Sequence, residues 1–456
     1  MGENLLGLVL DNRRARKEGS EGILRRQRER LGAMVAFARA NSPLYRRLYA
    51  DIPQGPVRLE NLPITTKKWL MSGFDDWVTD RTVTFSDAQV FAEDPDKVGE
   101  KFHGYTLATT SGTSGTKGIF LYDNRAMAVT QSIALRMLTS WLSFGDFVKI
   151  IAGSGRMAMV MAKGGHFASA VAAAALKRRR NDKLLQLSVH DPIREIVAAL
   201  NEFQPVLLAP YASIAALLAT EQEQGRLHIR PALLALAAEG LAPEEYGRIA
   251  RAFNAKVGNS YASTEVPFLS FSCAHGWLHV NSDWATFEAV DASHRPVPKG
   301  QVSHTVLVSN LANGLQPVLR YDLGDSIVER PDACPCGSPF PAIRVQGRAS
   351  DLVRFAGRDG QTVTMPPMVF YALLDPVPGV DLYQVVQTAP DAVRVRLKVS
   401  GTPDTVWPRV EADMRALLER QGLDHVKIER GDEPPEQTQG GKVRPIIPFE
   451  PKGPIL

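Results

Sequence analysis

LLQLSVHDPIREIVAALNEFQPVLLAP, residues 184–210, places a helical pattern between two short apolar runs. The runs LLQLSV (184–189) and PVLLAP (205–210) have the length and aliphatic content of buried strands. Asp191 and Pro192 begin the segment between them, and an acidic residue followed by proline is typical of a helix N-terminus. A strand, a helix and a second strand in this order predict two parallel strands joined by a helical crossover.

The same alternation continues on both sides of this unit. VKIIAG (148–153) and ALLALAA (232–238) are further strand candidates, and another helix is predicted over about 213–224. Strands without intervening helices are predicted in LHVNSDWATFEAV, HTVLVSN and PVLRYDLGD, all after residue 277. We therefore predict an α/β protein with mostly parallel sheets and a smaller antiparallel unit.

The length of 456 residues exceeds that of one ordinary domain and predicts a large domain plus a smaller one. Helical patterns dominate the first hundred residues, which we interpret as an N-terminal helical subregion. From residue 350 onward, a strictly alternating strand (393–399) and a helix (about 406–421) indicate a compact α+β unit. The predicted domains are 1–348 and 349–456.

Charge and hydropathy exclude several classes of protein. The net charge is only +4, and the most basic run, KRRR (177–180), follows an alanine-rich helical pattern, where cations suit a helix C-terminus. We expect no nucleic-acid partner. The longest apolar runs, 168–176 and 206–219, are short or interrupted, and no cleavable signal opens the chain. We expect a cytoplasmic protein without a membrane partner.

TTSGTSGTKG (109–118) is unusually rich in hydroxyl residues and glycine. Glycines let backbone N–H groups approach an oxyanion, and hydroxyls add further donors, so the stretch suits phosphate binding. It is not the common P-loop, because Lys117 stands five residues after Gly112, where that pattern has glycine. A solvated polar linker is the alternative for the stretch taken alone.

Five stretches in chain order resemble the signatures of the adenylate-forming superfamily of acyl-CoA synthetases, peptide-synthetase adenylation domains and luciferases. They are the loop at 109–118, NSYASTE (259–265), LRYDLGD (319–325), QGRASDLVRFAG (346–357) and GGKVR (440–444). Within the superfamily, NSPLYRRLY, LPITTKKWL, the EG at 239–240 and CPCG (334–337) are most similar to phenylacetate–CoA ligases and coenzyme F390 synthetase-like enzymes. The resemblance implies a small, mobile C-terminal lid domain.

The resemblance also implies roles for individual residues. Thr264 donates to the α-phosphate of ATP, Glu265 holds Mg²⁺, and Lys442 bridges the carboxylate and the α-phosphate during adenylation. Tyr261 lies against adenine, Asp325 accepts from the ribose hydroxyls, and Arg348 contacts ribose or phosphates. The implied nucleotide-binding set is Thr110, Ser111, Gly112, Thr113, Ser114, Gly115, Glu239, Gly240, Tyr261, Asp325 and Arg348.

The chain departs from the family pattern at two positions. The hinge motif usually has two successive acids, whereas this chain has Ser350 followed by Asp351, which puts the domain rotation between half-reactions in doubt. Lys117 in the glycine- and hydroxyl-rich loop stands one position earlier than the lysine of the common family pattern, and we assign it no catalytic role.

All three cysteines fall into two short clusters, Cys273 with His275 and Cys334 with Cys336. In a cytoplasmic protein, disulfides are rare and metal binding is the better interpretation, although buried inert thiols are the alternative. Three thiolates and one imidazole complete a tetrahedral structural Zn²⁺ site. His279 competes as the fourth ligand, and we favour His275 because its spacing mirrors the Cys-x-Cys pair.

The predicted function is ATP-dependent activation of an aryl or apolar carboxylic acid as an acyl adenylate, followed by transfer to coenzyme A. Transfer to an amine or a carrier protein is one alternative, and a catalytically inactive zinc-containing binding protein is another. Expected cofactors are ATP, Mg²⁺ and structural Zn²⁺. The oligomeric state is left open, with a homodimer as the named candidate. Pocket candidates are Met161, His166, Phe167 and Tyr211.

Overall fold

A computed structural model of the chain describes residues 4–53, 55–110, 118–161, 165–189, 191–237, 240–241, 243–267, 269–348, 353–358, 362–365, 367–374, 377–437 and 443–449. The helices within these ranges are α1 Leu5–Asn41, α2 Pro43–Leu48, α3 Lys67–Ser72, α4 Phe74–Trp77, α5 Phe85–Glu93, α6 Asn124–Trp141, α7 Phe144–Ala152, α8 Ala168–Arg180, α9 Ile193–Phe203, α10 Ala212–Glu223, α11 Pro243–Phe253, α12 Pro367–Leu374 and α13 Pro403–Arg420. None of these helices is both long and apolar enough to cross a bilayer.

The strands are β1 Lys101–Phe102, β2 Tyr105–Thr109, β3 Ile119–Tyr122, β4 Met157–Met161, β5 Leu184–Ser188, β6 Leu207–Pro210, β7 Leu233–Leu236, β8 Lys256–Asn259, β9 Ser270–Ser272, β10 Leu278–Val280, β11 Ala285–Val290, β12 Thr305–Asn310, β13 Tyr321–Asp322, β14 Asp325–Glu329, β15 Ala342–Arg348, β16 Val353–Ala356, β17 Thr362–Met365, β18 Val380–Ala389, β19 Ala392–Val399, β20 Lys427–Arg430 and β21 Ile446–Ile447.

A five-stranded parallel sheet in the order β5-β4-β6-β7-β8 forms the centre of the large domain. The predicted strands 184–189, 205–210 and 232–238 are confirmed as β5, β6 and β7, and α9 is the predicted crossover helix. Helices α8 to α11 alternate with the strands, as the sequence pattern requires. The predicted α/β class is therefore confirmed.

The predicted strand 148–153 is wrong, because this segment belongs to α7. Its helix begins with a capping box in which the Ser143 hydroxyl accepts from the Asp146 backbone N–H and the Asp146 carboxylate accepts from the Ser143 N–H. A short apolar run suits a helix as well as a strand, and here the cap decides the outcome. The strand that follows α7 in the chain is β4, which the sequence analysis did not predict.

Antiparallel strands dominate the chain after α11. A sheet in the order β14-β15-β10-β9 and another in the order β11-β12-β13 form the predicted antiparallel unit. A hairpin of β2 and β3, with β1 at its edge, packs into the same hydrophobic core as the N-terminal helices. The loop that joins β2 to β3 is the glycine- and hydroxyl-rich stretch.

The C-terminal part of the chain has a hydrophobic core of its own. Strands β18 and β19 form a long antiparallel pair, β20 and β21 flank it in parallel, and α13 packs against β19 and β20. This arrangement is the predicted smaller α+β domain. We propose that the boundary with the large domain lies near residue 348, and the hinge position Ser350 lies outside the described residues.

Candidate functional site

The base of the glycine- and hydroxyl-rich loop is closed by Thr110. Its backbone N–H donates to the Gly118 carbonyl at 3.0 Å, and its hydroxyl accepts from the Gly118 N–H at 2.8 Å. The β2–β3 hairpin thus holds both ends of the loop together. The loop residues predicted to bind phosphate, Ser111, Gly112, Thr113, Ser114 and Gly115, lie outside the described residues.

Tyr261 and Asp325 meet across the site although they are distant in the chain. The Tyr261 hydroxyl donates to Asp325 Oδ2 at 2.6 Å. Asp325 begins β14 directly after Gly324, whose φ of +72° is a left-handed conformation that suits glycine. In the antiparallel pair of β14 and β15, Asp325 stands opposite Arg348. The structure therefore brings together the backbone positions of three predicted nucleotide-binding residues.

Glu265 is buried, with 5% of its surface exposed. The Tyr321 hydroxyl donates to its Oε1 at 2.8 Å, and Lys67 Nζ lies 3.9 Å from the same oxygen. Burial and the neighbouring Glu265 carboxylate raise the pKa of Tyr321 well above its usual range, so Tyr321 stays protonated and keeps donating. Sequence reasoning missed both neighbours, although Lys67 lies in LPITTKKWL and Tyr321 in LRYDLGD.

The backbone around Thr264 is fixed by side chains of the β2–β3 hairpin and of β12. The Tyr122 hydroxyl donates to the Thr264 carbonyl, and Asn310 Nδ2 donates to the Glu265 carbonyl at 3.0 Å. Because both carbonyls are held by buried partners, the segment presents Thr264 and Glu265 in a defined orientation.

A cavity of about 2410 Å³ connects these groups. Predicted site residues in its wall are Thr110, Gly240, Tyr261, Thr264, Glu265 and Asp325. Lys67 and Tyr122 line it as well, as do Val443 and Arg444 from the C-terminal domain. Glu239 and Lys442 lie outside the described residues.

Comparison with solved structures shows what this architecture is. No family model and no curated protein matches the chain. A 2-hydroxyisobutyryl-CoA ligase in the postadenylation state, in complex with 2-HIB-AMP, aligns with a TM-score of 0.65 at 20% identity over 94% of this chain and 89% of that chain. The chain has the adenylate-forming ligase fold. McyG A-PCP complexed with phenylalanyl-adenylate aligns with a TM-score of 0.51 at 11% identity over 74% of this chain and 56% of that chain.

A third solved structure with the adenylate-forming ligase fold is the anthranilate CoA ligase AuaEII in complex with anthranoyl-AMP. It aligns with a TM-score of 0.50 at 14% identity over 74% of this chain and 65% of that chain. At these identities the likeness describes the fold, so the activity must be argued from the residues.

An apolar chamber forms one end of the cavity, between α6 and one face of the parallel sheet. Alternate residues of three strands form its floor, namely Met157, Met159, Leu207, Ala209, Leu233 and Ala235. Met127, Ala134 and Leu138 of α6 line it as well. A parallel sheet is ordinarily covered on both faces, so an open apolar face within an adenylate-forming fold suits an apolar ligand.

The four predicted pocket residues divide into two pairs. Phe167 and Tyr211 line the cavity. Met161 and His166 do not, since they are only 3% and 1% exposed. Met161 packs in the hydrophobic core around the parallel sheet, and the His166 ring lies 5.3 Å from that of Phe91. The prediction that Met161 and His166 line the pocket is corrected, because both side chains are buried behind the residues that form the cavity wall.

A second group of side chains offers sulfur and nitrogen ligand atoms. Cys273, Cys334, Cys336 and His279 offer ligand atoms that all lie within 4.8 Å of one another. The Sγ atoms of Cys273 and Cys334 are 3.7 Å apart, and His279 Nε2 is 3.1 Å from Cys336 Sγ. The fourth member is thus His279, which is buried, whereas the predicted His275 is exposed.

This correction has a simple geometric cause. β10 carries His279, and its antiparallel pairing with β15 brings it beside the loop that holds Cys334 and Cys336. The His279 Nδ1–H faces the Phe340 carbonyl at 2.8 Å, which leaves Nε2 directed at the thiols. The sequence analysis already named His279 as the alternative fourth ligand, so the residue itself was identifiable from the sequence.

The cluster fits a zinc ion. Burial lowers the pKa of His279, so the imidazole is neutral near neutral pH and can act as a ligand. Tetrahedral coordination with a Zn–S bond of about 2.3 Å requires thiolates roughly 3.8 Å apart. The 3.7 Å separation of Cys273 and Cys334 agrees with that edge and is far longer than a disulfide bond.

Proposed function

We propose that this protein is an ATP-dependent ligase that converts an apolar or aryl carboxylic acid to its coenzyme A thioester. The observation that carries the proposal is one cavity lined by Thr110 at the base of the phosphate loop, the Tyr261–Asp325 pair and the buried Glu265. Each of these groups has a task in adenylate chemistry. The matching solved structures are of ligases and an adenylation protein, several of them bound to acyl adenylates.

In the first half-reaction a carboxylate oxygen attacks the α-phosphorus of ATP, the bond to the bridging oxygen breaks, and pyrophosphate leaves. All the reacting groups are negative, so the site must supply donors and cations where charge develops. The loop above Thr110 supplies backbone N–H groups, and Thr264 supplies a hydroxyl. Lys442 supplies the ammonium that lies between carboxylate and α-phosphate.

Glu265 is the residue that would hold Mg²⁺. The ion ordinarily binds one or two carboxylates together with phosphate oxygens and waters, and it neutralises phosphate charge when bound. The Glu265 carboxylate fits this task because it faces the cavity while Tyr321 holds one of its oxygens in place. Asn310 fixes its backbone, so the carboxylate is preorganised.

Asp325 and Tyr261 bind the nucleoside. A carboxylate at the cavity wall accepts hydrogen bonds from both ribose hydroxyls, and the hydrogen bond from Tyr261 orients it. The Tyr261 ring presents an apolar face to adenine. Arg348, opposite Asp325 on β15, belongs to the same ribose and phosphate subsite.

In the second half-reaction the sulfur of coenzyme A attacks the acyl carbon, the bond from that carbon to the phosphate oxygen breaks, and AMP leaves. The thiol proton passes to solvent. The two half-reactions are separable, and this separation allows each role to be tested on its own.

The apolar chamber selects the acid. Ala209 and Ala235 stand on neighbouring strands, and their small side chains leave room above the sheet for the acyl group. Met127 and Met159, on opposite sides of the chamber, are polarizable and adaptable to an aromatic ring. We therefore assign an aryl or bulky apolar acid as the substrate.

The proposal is tested by acid-dependent ATP–pyrophosphate exchange across aryl, fatty and amino acids, followed by thioester assays. We expect exchange with aryl or bulky apolar acids and thioester formation with coenzyme A. Exchange without a thioester, but with amide formation or carrier-protein loading, would assign the alternative acceptor. No exchange with any acid, together with full zinc content, would assign a catalytically inactive zinc-containing protein.

Glu265→Gln is expected to lower acid-dependent exchange by roughly 100-fold or more, since a preorganised electrostatic contact in such a site is worth about 2.7–4 kcal/mol. The amide keeps a carbonyl oxygen that can accept from Tyr321, so the thermal midpoint should change little. The control is Glu244→Gln, an exposed carboxylate in the same cavity wall. Equal activity of the two variants would remove the metal role from Glu265.

Ala235→Phe is expected to narrow the apolar chamber and to discriminate between acids by size. Overpacking costs about 1–3 kcal/mol, so exchange with a bulky acid should fall roughly 5- to 150-fold while a short acid such as acetate is unaffected. Ala152→Phe, on the exposed surface of α7, serves as the control. A uniform loss across all acids would show that the chamber does not hold the acyl group.

A further inference from the structure

Four cations line the cavity near the end of α8. Arg178, Arg179 and Arg180 belong to its last turn, and Lys101 comes from β1. We call these four residues the basic rim. Within the described parts of the chain, no carboxylate forms a salt bridge with any of them.

The basic rim is held in place by hydrogen bonds to oxygens that carry no charge. Arg178 donates to the Gly99 carbonyl, Arg180 donates to the Gly155 carbonyl at 3.2 Å, and Lys101 donates to the Thr106 hydroxyl at 2.8 Å. A guanidinium has five N–H donors, so these bonds leave donors for a ligand. The cations are therefore positioned without being neutralised.

Helix geometry alone does not account for this arrangement. Cations in the last turn of a helix interact favourably with its dipole, which explains the three arginines. It does not explain why a lysine from another strand stands beside them. Burial, Arg178 and Arg179 all lower the pKa of Lys101, as expected where like charges are close together. An anion that binds among these cations reduces the electrostatic repulsion between them.

The position of the basic rim distinguishes it from the site of the ATP phosphates. Phe167, just before α8, forms a bridge with Thr109 at the base of the phosphate loop. From Ala168 to Arg178 the helix advances roughly 15 Å at 1.5 Å per residue. Between these ends Ser169, Ala172 and Ala175 line the cavity with small side chains.

We propose that the basic rim binds the ribose 3′-phosphate of coenzyme A. The slender thiol-bearing arm then follows the small residues of α8 toward the acyl adenylate. This inference rests on the proposed function, because it assigns the acceptor of the second half-reaction. Arginines are suited to this role, since the guanidinium fork matches phosphate geometry.

The test combines Lys101→Ala and Arg179→Ala in one variant and compares coenzyme A with dephospho-coenzyme A, which lacks the 3′-phosphate. We expect the KM for coenzyme A to rise at least tenfold with little change in kcat. The KM for dephospho-coenzyme A should already be high in the unmodified protein and should not change further. ATP–pyrophosphate exchange should be unaffected, because it precedes the acceptor.

Lys177→Ala is the matched control in the same helical turn. Lys177 donates to the Leu184 carbonyl at 3.0 Å and is not in the cavity wall, so its loss removes a charge without altering the basic rim. A similar rise in KM for Lys177→Ala would indicate a general charge effect and overturn the proposal. A rise in the KM for ATP, or an equal rise for both forms of coenzyme A, would overturn it as well.

A binding measurement separates this inference from the proposed function. Calorimetry with adenosine 3′,5′-bisphosphate needs no turnover, and we expect the double variant to bind at least tenfold more weakly than the unmodified protein. Absence of exchange with normal bisphosphate binding would refute the acid-activating function and leave the phosphate site standing. Normal exchange with no bisphosphate binding would refute the basic rim alone.

Discussion

His279→Ala is expected to abolish zinc binding and to leave little soluble protein, whereas His275→Ala should keep both zinc and solubility. The structure places His279 Nε2 beside the thiol of Cys336, whereas His275 is exposed outside the cluster. Structural zinc sites contribute on the order of 10 kcal/mol of apparent free energy, which is comparable to the whole stability of a domain. Loss of a single ligand is therefore a large effect.

Metal analysis of the purified proteins, together with thiol titration and thermal unfolding, checks this prediction. We expect one zinc per chain in the unmodified protein and in His275→Ala. Cys334→Ala should behave like His279→Ala, because Cys334 is buried and belongs to the same cluster. A zinc-free protein with three freely reactive thiols would show that the cluster is only a group of packed side chains.

Lys442→Ala is expected to lose acid-dependent ATP–pyrophosphate exchange yet still to convert a supplied acyl adenylate to its thioester. The role proposed for Lys442, between carboxylate and α-phosphate, belongs only to the step in which the first bond forms. Removing one preorganised donor of this kind costs about 2.7–4 kcal/mol, or roughly 100- to 1,000-fold in rate. Its neighbours Val443 and Arg444 line the cavity, which supports this placement.

Two measurements on one preparation check the assignment, namely exchange and thioester formation from synthetic acyl adenylate. Lys427→Ala, an exposed lysine on β20 of the same domain, is the control and should retain both activities. If Lys442→Ala lowers both half-reactions equally while it remains folded, the rotation of the C-terminal domain between half-reactions, which the family resemblance implies, does not hold for this protein. Ser350, in the unusual hinge motif, would then be the next residue to vary.

Local pattern was enough to predict most of the parallel sheet. β5, α9 and β6 follow from the spacing of apolar residues and from Asp191 and Pro192, which directly precede the first helical residue Ile193, because these signals act within a few residues. The wrong prediction of a strand at 148–153 arose from the same kind of local apolar pattern. A short apolar segment such as VKIIAG fits either a helix or a strand, and the capping box at Ser143 carried the missing information.

The motif residues were also named from the sequence, but their neighbours were not. Lys67 and Tyr321 approach Glu265 only because Thr65 pairs with Tyr321 across the fold. The basic rim arises in the same way, since Lys101 joins the arginines of α8 when the chain at Gly99 packs against that helix. Neither juxtaposition has a local signature.

The sequence alone therefore determined the fold class, the order of the motifs and the membership of three cysteines in one candidate metal site. Tertiary structure decided which histidine completes that site, which predicted pocket residues are buried behind the wall, and which cations face the cavity. The physical reason is the range of the interactions involved. Helices, strands and caps depend on residues a few positions apart, whereas a ligand set or a binding surface depends on strand pairing and packing between distant segments.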